Sequence, residues 1–275
     1  MREIDVSLIT GHIKEMCVEA NIFLEEDVKE AVIKAADKET SCVGRNVLAQ
    51  LKENMEIAEN ERIPVCQDTG MTVVFLDVGQ DVHFVGGDIA AAVDEGVRQG
   101  YTQGYLRKSV VSDPLLRVNT GDNTPAVIHY NIVPGDKVGI TVSPKGFGSE
   151  NTSRIYMLKP ADGIEGVKNA VLETVRLAGP NACPPFVVGV GIGGDFEKCA
   201  IMAKRALTRS ADHCAGKLEA ELLEMINDSG IGPAGLGGSV TALAVNVEMF
   251  PTHIAGLPVA VCMCCHVNRH KYREI

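Results

Sequence analysis

Apolar positions change rhythm near residue 60. Before it, Val6, Ile9, Ile13, Met16 and Cys17 recur at three- and four-residue intervals, the spacing that lines one face of a helix. Residues 25–36 continue the rhythm with charges on the opposite face, and residues 41–58 form a third amphipathic stretch with Ser41 placed to cap it. From Ile63 onward, short β-branched runs take over, separated by Gly, Pro, Asn and Asp. Strands are expected at 72–76 and 82–85, followed by a helix over 88–99.

Further along, 126–133 and 137–142 read as strands joined by Pro134-Gly135-Asp136, a turn sequence in which Pro fixes φ and Gly permits φ > 0. That pair is expected to form a hairpin. Helices are expected at 163–177, 196–209 and 214–227, and strands at 185–190, 240–247 and 257–264, with a glycine-rich loop at 230–238 and a basic, polar tail. The pattern predicts a mixed α/β (α+β) fold, a helical N-terminal segment followed by mixed sheets with flanking helices, and no internal repeat. One domain is expected over 1–275, with a helical preface at 1–60 and a core at 61–275.

Charge narrows the function classes. A formal charge of −10 and a pI near 5.2 oppose a nucleic-acid surface, which needs clustered Lys and Arg. Aromatic residues are 4% and Trp is absent, leaving little for base stacking. No apolar run approaches a membrane span, and Met1-Arg2-Glu3-Ile4-Asp5 lacks the layout of a signal peptide, so a cytoplasmic protein is expected. Nine cysteines is an odd count that suits reduced thiols or metal ligation better than a disulfide framework. The sequon at Asn151 is then an accident of composition.

Three groupings offer chemistry. Cys66-Gln67-Asp68-Thr69-Gly70 sets a thiol, an amide and a carboxylate on a tight turn before a strand. Cys183 lies between Gly179-Pro180-Asn181 and Pro184-Pro185. Residues 262–270 hold Cys262, Cys264, Cys265, His266 and His270. Each cysteine alone reads most simply as a small buried hydrophobe. Their separation rules out the local Cys-x-x-Cys pairs of a zinc ribbon or ferredoxin and leaves a three-thiolate site assembled by the fold. A cubane cluster held that way keeps one iron without a protein ligand, suited to Lewis-acid work on a substrate oxygen.

These motifs, with Tyr105-Leu106-Arg107, Val118 to Ala126, Lys145-Gly146-Phe147-Gly148-Ser149-Glu150-Asn151 and Cys265-His266-Val267-Asn268-Arg269-His270, together resemble the cluster-binding half of class I fumarases. The related L-tartrate dehydratases carry this half as an alpha subunit. The resemblance covers roughly residues 60–270. It implies that Cys66, Cys183 and Cys265 hold a [4Fe-4S] cluster, with Cys265 preferred because it stands four residues before Arg269-His270. It implies Gln67, Arg107, Gly148 and His253 as substrate binders and Asp68 as the group that protonates the departing hydroxyl. Reversible hydration of fumarate to L-malate, a tricarboxylic acid cycle reaction, is the activity implied. The alternatives are an L(+)-tartrate dehydratase subunit or a non-catalytic Fe–S redox or transfer protein. The resemblance also implies a beta subunit that brings the catalytic base and further contacts to the small dicarboxylate, in a dimer of alpha–beta pairs. Phe147 and Glu150 depart from the family's lysine loop, where single-chain members have Gly and Ala.

Other signals read as structural. Gly189-Val190-Gly191-Ile192-Gly193-Gly194 satisfies G-x-G-x-x-G, yet lacks the acidic strand end that a dinucleotide site needs, so a packing role is expected. Cys17, Cys42, Cys199 and Cys214 are expected in the core, His83 and His129 as satisfied strand residues, and His12 and His213 on the surface. His266 and His270 are expected to donate to the ligands around Cys265.

Overall fold

A computed structural model describes residues 1–211 and 216–275. In chain order its elements are β1 (Arg2–Asp5), α1 (Val6–Ile22), α2 (Glu26–Lys38), α3 (Cys42–Glu61), β2 (Met71–Gly79), β3 (Val82–Val85) and α4 (Ile89–Gln103). There follow β4 (Val127–Val133), β5 (Val138–Lys145), α5 (Phe147–Glu150), β6 (Arg154–Leu158), α6 (Gly163–Ala178) and β7 (Phe186–Gly193). The chain ends with α7 (Phe196–Ala206), α8 (Lys217–Asn227), β8 (Ala242–Phe250), β9 (Leu257–Cys264) and β10 (Lys271–Glu274). The fold is mixed α/β, as the residue pattern predicts. Ser41 caps α3 as expected, its hydroxyl accepting from the Gly44 N–H at 3.2 Å. Cys214 and His213 lie outside the described residues, and the helix expected from 214 is seen from Lys217.

The fold comprises two compact units. One is built from Met1–Glu25, Ile57–Phe147 and Arg269–Ile275. Its four-stranded sheet runs β10-β5-β2-β4, with β4 parallel to β2 and β5 antiparallel to it. The expected hairpin between β4 and β5 is therefore absent: β2 lies between them. The reversal at Pro134-Gly135-Asp136 crosses the end of β2, where Gly79 N–H donates to Lys137 O and Gln80 N–H to Val133 O, both at 2.8 Å. Turn chemistry fixed the reversal but not the partner; β2, apolar on both faces, took the central place. Ile9, Ile13 and Met16 of α1 and Val93, Val97 and Tyr101 of α4 pack with Val74, Leu76, Ile140 and Val142 in one core. Burial pushes the Cys17 thiol there up to about 12, as befits an inert core cysteine. The basic, polar tail, for which no element was expected, forms β10, its backbone paired with β5 while Arg273 reaches Glu19 at 2.9 Å.

The second unit comprises Glu26–Glu56 and Gly148–Asn268. Its sheet runs β6-β9-β7-β8. Val188, Val190 and Ile192 of β7 enter a core with Val171, Val175, Leu222, Ile226, Val259 and Val261. Strand alternation turns Gly189 and Gly191 to the other face, against α7. A Cβ on Gly189 would stand 2.0 Å from Ala203 O, and one on Gly191 would stand 2.0 Å from Cys199 O. The first two glycines of the pattern thus lie inside a strand, with Gly194 just beyond its end, and serve close helix–sheet packing. Gly189→Ala is expected to destabilise the protein by about 3 kcal/mol or more, since α7 must shift off the sheet. Denaturant unfolding checks this, and an unchanged midpoint would refute the packing account. Cys199 is buried as expected, whereas Cys42 is exposed, because it opens α3 and its position faces outward. Among the described residues no helix is long and apolar enough to cross a membrane.

Candidate active-site loops

The Cys66–Gly70 loop is fixed from beneath. Val65 N–H donates to Asn21 O at 2.9 Å and the Thr69 hydroxyl to Arg107 O at 3.0 Å. The Tyr101 hydroxyl, buried, lies 2.7 Å from Thr69 O and 2.9 Å from Gly70 O. Asn123, fully buried at φ +66°, donates to Gly70 O at 3.1 Å and accepts from Ser109 N–H at 2.7 Å. Gly70 itself has φ +82°, and a Cβ there would stand 2.8 Å from Lys145 N, so only glycine fits. Within this frame Cys66 is half-buried and its thiol lies 3.4 Å from Gln67 Oε1. Gln67 and Arg107 are exposed.

Asp68 is held by both oxygens. Oδ1 accepts from Gly70 N–H at 3.0 Å and Oδ2 from Phe147 N–H at 2.9 Å. Its carbonyl accepts from Nη2 of Arg269, whose Nε donates to Pro144 O at 3.0 Å. Arg269 thereby ties the loop to the end of β5. In the sequence it served only as a spacing mark beside Cys265; an Arg that is 3% exposed has no signature in the pattern alone. Tyr101 and Asn123 likewise carry no sign of a supporting role in the residue pattern, although Asn123 lies in the stretch Val118 to Ala126. Phe147 contributes a backbone N–H, so its departure from the family loop leaves that contact intact.

Asp122 stabilises the motif that positions Asn123. Partial burial pushes its carboxyl up, but the Thr124 N–H (3.0 Å) and hydroxyl (2.8 Å) and Arg98 Nε (3.0 Å) outweigh it and hold the pKa at about 2. A depressed folded pKa gives stability that is full above the unfolded value of about 4 and disappears as pH falls towards 2. The stability gap between wild type and Asp122→Asn is expected to close over that range in acid unfolding. A gap constant down to pH 2 would sink the assignment.

In the second unit, Cys183 ends a short 3-10 turn at φ +54°, its N–H donating to Pro180 O at 3.1 Å, and its residue is exposed. His266 Nδ1 stands 3.2 Å from the Cys183 carbonyl; a carbonyl only accepts, so this contact places the proton on Nδ1. The Cys183 turn thus meets the segment that follows β9. Gly148 is exposed in α5, and an added Cβ would come no nearer than 3.9 Å to Asn181 O, so the same turn also borders Gly148. His253 occupies an exposed loop, its Nδ1 accepting from Ala255 N–H at 3.2 Å. Cys262 and Cys264 are buried inside β9, opposite Gly189 and Val187, whereas Cys265 is half-buried just beyond the strand. Cys262 Sγ lies 3.7 Å from Glu150 Oε2, and Glu150 pairs with Lys204. Glu150, the second departure, therefore has a structural role.

The donor chemistry fits a thiolate-held cluster. Cys66, Cys183 and Cys265 are thiols outside any disulfide, each on a loop and none fully buried, in contrast to Cys17, Cys199, Cys262 and Cys264. Among the described residues no three His, Cys, Asp or Glu side chains stand gathered for a metal ion.

The sequence pattern of the family described as "Fumarate hydratase (Fumerase)" matches residues 10–274. The chain is 42% identical to the Methanocaldococcus jannaschii protein named "Putative L(+)-tartrate dehydratase subunit alpha", over 97% of each chain. It is 32% identical to "L(+)-tartrate dehydratase subunit alpha" of Escherichia coli UTI89, over 90% of this chain and 84% of that one. The counterpart in Escherichia coli K12 is 32% identical over the same shares. With nearly its whole length matched, the chain belongs to the fumarate hydratase (Fumerase) family of hydro-lyases.

Proposed function

We propose that this chain is the alpha subunit of a [4Fe-4S] hydro-lyase that interconverts fumarate and L-malate. The observation that supports this most is the setting of the described cysteines: Cys66, Cys183 and Cys265 lie on loops and none of them is fully buried, while Cys17, Cys199, Cys262 and Cys264 are buried in helices and strands and the exposed Cys42 opens a helix. Cys66, Cys183 and Cys265 would hold the cluster. Its contribution when bound is an open iron that polarises the substrate oxygen. Arg107 offers a charge-assisted fork to one carboxylate, and Gln67, His253 and the Gly148 backbone supply further donors. Asp68, its oxygens fixed by two backbone N–H groups, delivers a proton to the departing hydroxyl.

The base that removes the C–H proton comes from a beta subunit. The "subunit alpha" in the relatives' names supports such a partner. We place the enzyme in the cytoplasm as a dimer of alpha–beta pairs, serving the tricarboxylic acid cycle.

The relatives' names also favour a second reading, dehydration of L(+)-tartrate. Both are tested by loading the chain anaerobically, pairing it with its beta subunit and assaying fumarate, L-malate and L(+)-tartrate. The pair is expected to turn over one substrate pair strongly and the chain alone neither. Full turnover by the chain alone would refute the partner, and zinc without iron would refute the cluster. Reversible one-electron reduction with a spectrum indifferent to malate and tartrate would favour a redox protein instead.

A further inference from the structure

Arg269 carries a donor with no use inside the protein. Its side chain is 3% exposed, Nε and Nη2 serve Pro144 O and Asp68 O, and Nη1 is buried without a hydrogen-bond partner. Both acceptors it does reach are neutral carbonyls. A neutral donor would have satisfied them at a smaller desolvation cost, whereas a guanidinium keeps its charge at any physiological pH. A buried cationic N–H left unpaired is strongly unfavourable, so a group outside the protein's own atoms is expected to complete it. Nη2 of the same guanidinium grips Asp68, two residues from Cys66, so the unfilled donor belongs to the loop that presents this thiol. Thiolates and sulfides carry the negative charge and the acceptor capacity that it lacks.

We infer that Arg269 donates through Nη1 to a sulfur of the cluster, stabilising its more negative, reduced form. The inference rests on the cluster reading above. Arg269 is then a positioning and tuning residue, holding Asp68 by the backbone with one nitrogen and the cluster with another.

The test uses the full chain, loaded anaerobically, with arginine labelled by nitrogen-15. Iron content is read first; about four irons per chain are expected for an intact cluster. Pulsed electron paramagnetic resonance of the reduced cluster should then show a nitrogen-15 coupling that disappears in Arg269→Lys labelled the same way. The midpoint potential should fall in Arg269→Lys and fall further in Arg269→Met, where both charge and donor are lost. If Arg269→Met fails to fold, the wild-type coupling and Arg269→Lys decide. Wild type with four irons and no coupling, or a coupling that persists in Arg269→Lys, would overturn the role of Arg269 and leave the hydro-lyase reading standing. Wild type that takes up no iron would overturn both.

Discussion

Cys265→Ser is expected to strip most of the iron from the reconstituted chain, while Cys262→Ser leaves most of it in place. The two thiols are close in sequence and differ in setting. Cys262 is inside β9, paired across to Gly189, and its sulfur is engaged with Glu150 and Ser153. Cys264 is buried two residues on, near Val267 O. Cys265 falls beyond the last ladder pair, half-buried, beside the His266 that touches the Cys183 turn. A cluster ligand must be a thiolate able to reach an ion, and an exit from the strand grants that where a strand interior denies it. Iron per chain and the broad thiolate-to-iron absorption are the measurements. Equal losses in the two variants would refute the choice of Cys265.

Asp68→Asn is expected to lower turnover of the alpha–beta pair by about a hundred-fold to ten-thousand-fold, the usual range for losing a proton-transfer group. Iron content should stay near wild type. The carboxylate has both oxygens committed to backbone N–H groups of Gly70 and Phe147, so its orientation is fixed before substrate arrives. Asn preserves one acceptor and turns an NH2 towards a backbone donor, which adds a modest local cost, and it has no proton to give. Turnover within a few-fold of wild type, with the cluster intact, would remove Asp68 from the reaction.

Much of this was legible in the chain itself. Amphipathic spacing located α1 to α3 within a few residues, because a helix needs only local hydrogen bonds and one apolar stripe. The apolar run of β9 was read at its full extent, Leu257–Cys264, and the motifs around Cys66, Cys183 and Cys265, with those that accompany them, pointed to the family whose pattern matches residues 10–274. Strand partners were beyond reach. The sequence around Pro134-Gly135-Asp136 dictates a reversal, yet whether β4 meets β5 or β2 depends on which strand gains most by burial on both faces, a sum over residues far apart. β10 escaped for the same reason: Lys271, Tyr272, Arg273 and Glu274 have no strand signature, and their register comes from β5 and the Glu15 and Glu19 carboxylates.

The candidate site divides along the same line. Residue types and order determined its chemistry: three separated thiols, an amide and a carboxylate beside the first, an Arg-His pair after the last. Only the tertiary structure decided which thiols are withdrawn into strands and helices and which remain on loops. It also decided that Arg269, a mere spacing mark in the sequence, is the buried cation that holds Asp68. Burial and hydrogen-bond partnership are properties of packed neighbours, and no single segment of chain contains them.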